Sequence, residues 1–167
     1  MEKTTILIIE DDASQRRVLE YNLRKVNYAV LSASDGEEGL SLLRKNPIDV
    51  VLTDVRMPGM DGFQVLEKVK EIDSEIIVII VTAFGTIEKA VAAMKKGAFD
   101  YITKPFNREE LLLVIERGLK IKRLERENSS LREELVDKFK LANVVGTSSK
   151  MKDVFKIVHR VAKAEST

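Results

Sequence analysis

Five short apolar runs rich in β-branched residues punctuate the first hundred or so positions, at residues 4–10, 28–33, 48–54, 76–82 and 98–103. Between them the apolar residues return every three or four positions: Val18, Leu19 and Leu23; Leu40, Leu42 and Leu43; Phe63, Val65, Leu66 and Val69; Ile87, Val91 and Met94. The first rhythm predicts strands and the second predicts helices packed along one side. Five βα units therefore occupy residues 4–105, and their short connections argue for a parallel sheet. The third and fourth runs are apolar almost throughout, as strands covered on both faces should be. Asp35 and Thr86 are predicted N-caps, and Gly97 a predicted helix stop.

The pattern changes at Asn107-Arg108-Glu109-Glu110, which starts a helix in the manner of a capping box and leads into a charged, Leu-rich stretch without proline. This predicts one long helix. Its apolar positions Val114, Ile121, Leu124, Leu131 and Leu135 fit the a and d sites of a heptad with Asn128 at an a position, which predicts a short parallel coiled coil and a homodimer. Gly118 weakens the helix near its start. The basic cluster Lys120, Lys122, Arg123 and Arg126 is interrupted by Glu125 and Glu127, so it reads as a solvated coiled-coil face rather than a DNA-binding basic region. A turn-rich segment from Leu141 to Ser149 precedes a last amphipathic helix with Met151, Val154, Phe155, Val158, Val161 and Ala162 on one face. His159 has no nucleophile to pair with.

Composition narrows the chemistry. The chain has 167 residues, 44% of them hydrophobic, and its 28 basic and 27 acidic side chains leave a net charge of +1. That suits one full domain with a smaller addition, and gives no overall field for nucleic acid or an anionic membrane. Cysteine is absent and there is one histidine, which excludes disulfides, thiolate metal sites and multi-histidine sites. Oxygen ligands remain. The chain carries no signal-peptide pattern and no run long enough to span a bilayer, so a soluble, cytoplasmic protein is expected.

The residues that end the apolar runs are chemically selective. Glu10-Asp11 follows the first, Asp54 the third, Thr82 closes the fourth and Lys104 follows the fifth, whereas the second contributes nothing. In the doubly wound order 2-1-3-4-5 the four contributing strands are contiguous, and the crevice at the switch point lies at their carboxyl ends. Mg²⁺ takes hard oxygen ligands and keeps several waters, so Asp11 and Asp54 are expected as direct ligands. Glu10 would act through water, and Arg56 would offer its backbone carbonyl. Phosphoryl transfer needs mainly positioning and charge stabilisation. Asp54 is the expected nucleophile, with Lys104 and the Thr82 hydroxyl reaching the phosphoryl oxygens.

This constellation resembles the receiver domain of response regulators over roughly residues 4–120: Glu10-Asp11 at the acidic pair, Asp54 at the phosphoacceptor, Thr82 at the switch hydroxyl, Tyr101 at the switch aromatic and Lys104-Pro105 at the Lys-Pro dipeptide. Glu at position 10, where the family has Asp, is the one departure. The resemblance implies a flavodoxin-like (βα)5 fold, a cis bond before Pro105, a sensor histidine kinase as phosphodonor, and a shift of Thr82 and Tyr101 that alters the surface of residues 83–106. Thr82-Ala83-Phe84-Gly85-Thr86 and the segment from Gly97 to Phe106 look like receivers of NtrC-type, sigma-54-dependent activators. The stretch from Val144 to Ala162 is similar to the opening of their AAA+ ATPase domain. Its glycine-rich phosphate loop is not in this chain, so ATP hydrolysis and DNA binding are expected to lie outside these residues.

The expected organisation is a receiver at residues 1–120, a coiled-coil linker at 121–140 and the start of an ATPase domain at 141–167. The heptad linker favours repression, in which the unphosphorylated receiver holds the ATPase in an inactive dimer. Two other functions suit an α/β domain with these acids. An aspartyl-phosphate phosphatase of the haloacid dehalogenase kind would need Asp-x-Asp near the first strand, whereas Asp54-Val55-Arg56 lacks the second acid. A flavodoxin-like cofactor binder would need a hydroxyl-rich phosphate loop where Glu10-Asp11-Asp12 stands.

Overall fold

A computed structural model describes residues 3–83 and 85–144, with side chains as far as residue 136. The expectations for the last amphipathic helix, His159 and Phe84 lie outside the described residues. Strands β1 (Thr5–Ile9), β2 (Ala29–Ala33), β3 (Val50–Thr53), β4 (Ile77–Thr82) and β5 (Asp100–Thr103) alternate with helices α1 (Ala13–Lys25), α2 (Gly36–Lys45), α3 (Gly62–Ile72), α4 (Ile87–Lys95) and α5 (Arg108–Val144). The strands form one parallel sheet in the order β2-β1-β3-β4-β5, as the sequence predicted.

Successive side chains of a strand point to opposite faces, and the core divides accordingly. Leu7, Ile9, Val51, Val78 and Ile80 pack under α2, α3 and α4 through Leu40, Leu43, Val65, Leu66, Val69 and Ala93. Ile6, Ile8, Val50, Leu52, Ile77, Ile79 and Val81 pack under α1 and α5 through Leu19, Leu23, Leu111 and Ile115. Both faces of the central strands are thus buried, which is why their sequences lack alternation.

Side-chain oxygens start the helices by accepting otherwise unpaired amides. Asp35 accepts from Glu38 and Thr86 from Lys89, as predicted. Asp12 caps α1 through Ser14 and Gln15, and Asp61 forms a reciprocal capping box with Gln64. Asn107 accepts the Glu110 amide at 2.6 Å at the start of α5. Gly97 adopts φ 92° just after α4, a conformation that stops the helix without a Cβ penalty.

Two helical faces differ from expectation. Ile87, Val91 and Met94 are exposed, and α4 instead turns Ala93 into the core beside Val78 and Ile80. Val18 of α1 is likewise exposed while Leu19 and Leu23 are buried. Gly118 has a packing role: a Cβ there would lie 3.1 Å from Ile77 and 3.2 Å from Phe99, so its absence brings α5 down onto the sheet.

The chain divides into two units, Met1–Lys122 and Arg123–Thr167. Lys122 corrects the reading of the basic cluster as wholly solvated. It is buried at 9% exposure and its ammonium lies 3.6 Å from Asp49, whereas Lys120, Arg123 and Arg126 are exposed. Val114 packs half-buried against the core of the first unit, while Ile121, Leu124, Asn128, Leu131 and Leu135 are exposed.

Candidate functional site

Strand register brings the selected residues together. Ile9 pairs with Thr53 and Thr82 with Thr103, so Glu10, Asp54, Thr82 and Lys104 reach the same carboxyl edge. The Asp54 amide donates to the Ile9 carbonyl at 3.1 Å and the Lys104 amide to the Thr82 carbonyl at 2.8 Å, continuing the ladder one residue past the strands. The Lys104–Pro105 bond is cis.

At the centre stands the Lys104 ammonium, 2.6 Å from Glu10 Oε2 and 2.7 Å from Asp54 Oδ2. The other Asp54 oxygen, Oδ1, accepts the Arg56 amide at 3.0 Å, and Glu10 Oε1 accepts the Asp12 amide at 3.4 Å. Glu10 is only 3% exposed and Lys104 13%, so this is a charge cluster largely withdrawn from water. Burial pushes the Glu10 carboxyl above its ordinary value, and Lys104 only partly offsets that. Burial pulls the Lys104 ammonium down, but its hydrogen bonds and charge interactions with Asp54 and Glu10 outweigh this and hold it above the ordinary lysine value. The geometry sets one ammonium between two carboxyl groups, with burial opposing the charge on Glu10 and the two acids upholding the charge on Lys104.

Thr82 is fully buried at the end of β4. Tyr101 lies half-buried against the α2–α4 side of the core, and burial together with the Asp54 charge raises its phenol above the ordinary tyrosine value. Asp11 is exposed beside the cluster.

Three residues that the sequence did not single out shape the site. Arg16, one turn into α1, donates from Nη1 to the Glu10 carbonyl at 2.5 Å and reaches the Asp11 carbonyl at 3.4 Å, tying down the loop that carries both acids. Asp12 caps α1 with its side chain while its amide donates to Glu10 Oε1. Gly62 opens α3 directly against the acceptor loop, since a Cβ there would lie 2.2 Å from the Asp54 carbonyl oxygen. The acid-rich loop followed by an arginine was visible in the sequence, but spacing alone does not aim a guanidinium at a carbonyl.

The donor set suits Mg²⁺ in kind, being hard carboxylate oxygens, and its two buried acids already gather the Lys104 ammonium. As placed, however, no three acidic or histidine side chains among the described residues converge on one metal position. Lys104 sits between two of the three acids, so side-chain rearrangement around Asp11, Glu10 and Asp54 would accompany metal binding.

A parallel (βα)5 sheet with an acid–lysine–hydroxyl cluster at its carboxyl edge defines a receiver. Residues 6–116 match the response regulator receiver domain family, and the chain belongs to it. Relatives extend the likeness beyond that domain. A putative NtrX-like response regulator of Rickettsia typhi is 34% identical over 154 residues, covering 91% of this chain and 32% of the relative. The DNA-binding transcriptional regulator NtrC of Escherichia coli K12 is 33% identical over 166 residues, covering 98% of this chain and 34% of the relative. The crystal structure of NtrX from Brucella abortus is 31% identical with a TM-score of 0.76, covering 96% of this chain and 35% of that one. The resemblance to NtrC-type regulators thus holds along nearly the whole chain, which spans about a third of the length of these relatives.

Proposed function

We propose that this chain is the phosphoacceptor module of a two-component system, in which Asp54 takes a phosphoryl group from a sensor histidine kinase and so controls a sigma-54-activating ATPase. The observation that carries this reading is the convergence of Asp54, Glu10 and Lys104 from three strand ends onto one charge cluster. A carboxylate held by one amide and one ammonium is oriented for in-line attack, and the ammonium is already where negative charge would accumulate. An Asp54 oxygen forms the new P–O bond, the donor's P–N bond breaks, and the leaving imidazole takes up a proton.

Lys104 then follows the charge from the carboxylate onto the phosphoryl oxygens, and the Thr82 hydroxyl donates to another of them. Mg²⁺, held by Asp11, Asp54, the Arg56 carbonyl and Glu10 through water, would supply the remaining neutralisation of phosphoryl charge. Beside Lys104 a groove of about 580 Å³ runs between α1 and the start of α5, lined by Val18, Leu19, Pro105, Phe106, Leu111 and Leu112. It offers an apolar seat for the donor near the acceptor. No described helix is long and apolar enough to cross a membrane.

The domain plan assigned to residues 1–120, 121–140 and 141–167 belongs to this reading, as does a homodimer through the receiver and the α5 row, of which Val114 packs half-buried against the receiver core while Ile121, Leu124, Asn128, Leu131 and Leu135 are exposed. These are apolar or amide side chains in heptad spacing, and the four apolar ones are 41–61% exposed. The AAA+ ATPase and DNA-binding domains would lie in a longer protein. A phosphatase or flavodoxin-like cofactor binder finds no support in the family assignment. Incubation with acetyl phosphate and Mg²⁺ tests the reading: the wild-type chain should take up one phosphoryl group and Asp54→Asn none. Undiminished uptake by the variant would remove Asp54 from its role.

A further inference from the structure

At the opposite end of β3 from Asp54 stands Asp49, and it is joined to several elements. Its amide donates to the Thr5 carbonyl at 2.9 Å, and its carbonyl accepts the Ile77 amide at 3.0 Å. Its Oδ2 accepts the Thr5 amide at 3.1 Å, and Oδ1 faces the Lys122 ammonium at 3.6 Å. Lys122 is the last residue of the first unit and the last buried position among the described side chains of α5, since every described one beyond it is exposed. The other cation nearby does not compete for Asp49, because Lys70 donates to the Ser74 and Ile76 carbonyls at 2.9 and 2.7 Å. A lysine in a strongly charged helical stretch has no need to be buried unless its charge is answered, and Asp49 answers it.

We propose that Asp49 and Lys122 form a clasp that anchors α5 to the sheet at Lys122, within the heptad row that runs from Val114 through Ile121 to Leu135. Asp54 and Asp49 flank the same four-residue strand, so the phosphoacceptor and the clasp are joined through β3, with the ion pair as the last, non-covalent link to the helix. Lys122 is here a positioning residue. Its effect on self-association rests on the coiled-coil reading, whereas its effect on α5 anchoring does not.

The test uses the 167-residue chain with Asp49→Asn, Lys122→Met and the double substitution. Asp49→Asn keeps an acceptor for the Thr5 amide, and Lys122→Met keeps the apolar stem. Hydrogen exchange of amides 118–122 and the dimer dissociation constant from sedimentation are measured for each. Each single variant should accelerate exchange about five-fold, the size expected for losing one partly screened ion pair, and the double variant should do no more than either. The dissociation constant should rise in step. Unchanged exchange, or single effects that add in the double variant, would overturn the clasp. Leu131→Ala separates the two readings. If it leaves self-association unaltered the coiled coil fails and exchange alone judges the clasp; if it weakens the dimer while Asp49→Asn affects neither quantity, the clasp is wrong.

Discussion

Lys104 answers two carboxylates at once, which makes it the residue whose loss the site should feel most. Removing one member of a buried charge cluster leaves the others uncompensated, so Lys104→Met should cost about 3 kcal/mol at neutral pH. Adding Glu10→Gln should recover part of that, because it removes the more deeply buried of the stranded acids. Urea denaturation of the two variants checks the ordering, and a double variant less stable than Lys104→Met would contradict it. The Asp54 charge also reaches Tyr101. Burial first, and then the nearby Asp54 anion, disfavour the phenolate and hold the phenol above its ordinary value. Asp54→Asn should therefore lower the Tyr101 midpoint in an ultraviolet titration, read as the difference from Tyr101→Phe. Tyr28, raised by burial and then by Glu116, should keep its midpoint. The acids, the hydroxyl and the lysine were legible in the sequence because each ends an apolar run. Arg16 was not, since its contribution depends on where its long side chain finds carbonyls.

At the scale of elements, the site depends on close seating of helices against strand ends. Gly62 has no room for a Cβ because the Asp54 carbonyl would lie inside contact distance, and backbone cannot yield as a flexible side chain can. Gly62→Ala should destabilise the fold by about 1–3 kcal/mol. Gly118→Ala should cost less, since its neighbours are side-chain tips of Ile77 and Phe99 and the helix gains propensity from alanine. Equilibrium unfolding gives the comparison, and a reversed order would contradict it. Element type and order were legible from periodicity. The inward face of α4 was not: its conspicuous residues Ile87, Val91 and Met94 point outward, and alanine, which fills the gap at Ala93, carries little signal in an apolar pattern. Lys122 was misread for the converse reason, because a charged residue in a charged stretch gives no sign of burial until Asp49 is placed beside it.

For the whole molecule, the proposed output is a change in self-association through the α5 row. Under the repressive reading, light scattering with Mg²⁺ and beryllofluoride should show a dimer loosening toward monomer; a tightening dimer would favour phosphorylation as the promoter of assembly. Either result presupposes that Asp54 is where the signal enters. That claim is tested most directly by finding the modified residue. The chain is treated with acetyl phosphate and Mg²⁺, the acyl phosphate is reduced with borohydride, and the site is mapped by peptide mass spectrometry. The expected result is a single reduced aspartate at position 54. Label on another residue, or none on a folded protein, would contradict it.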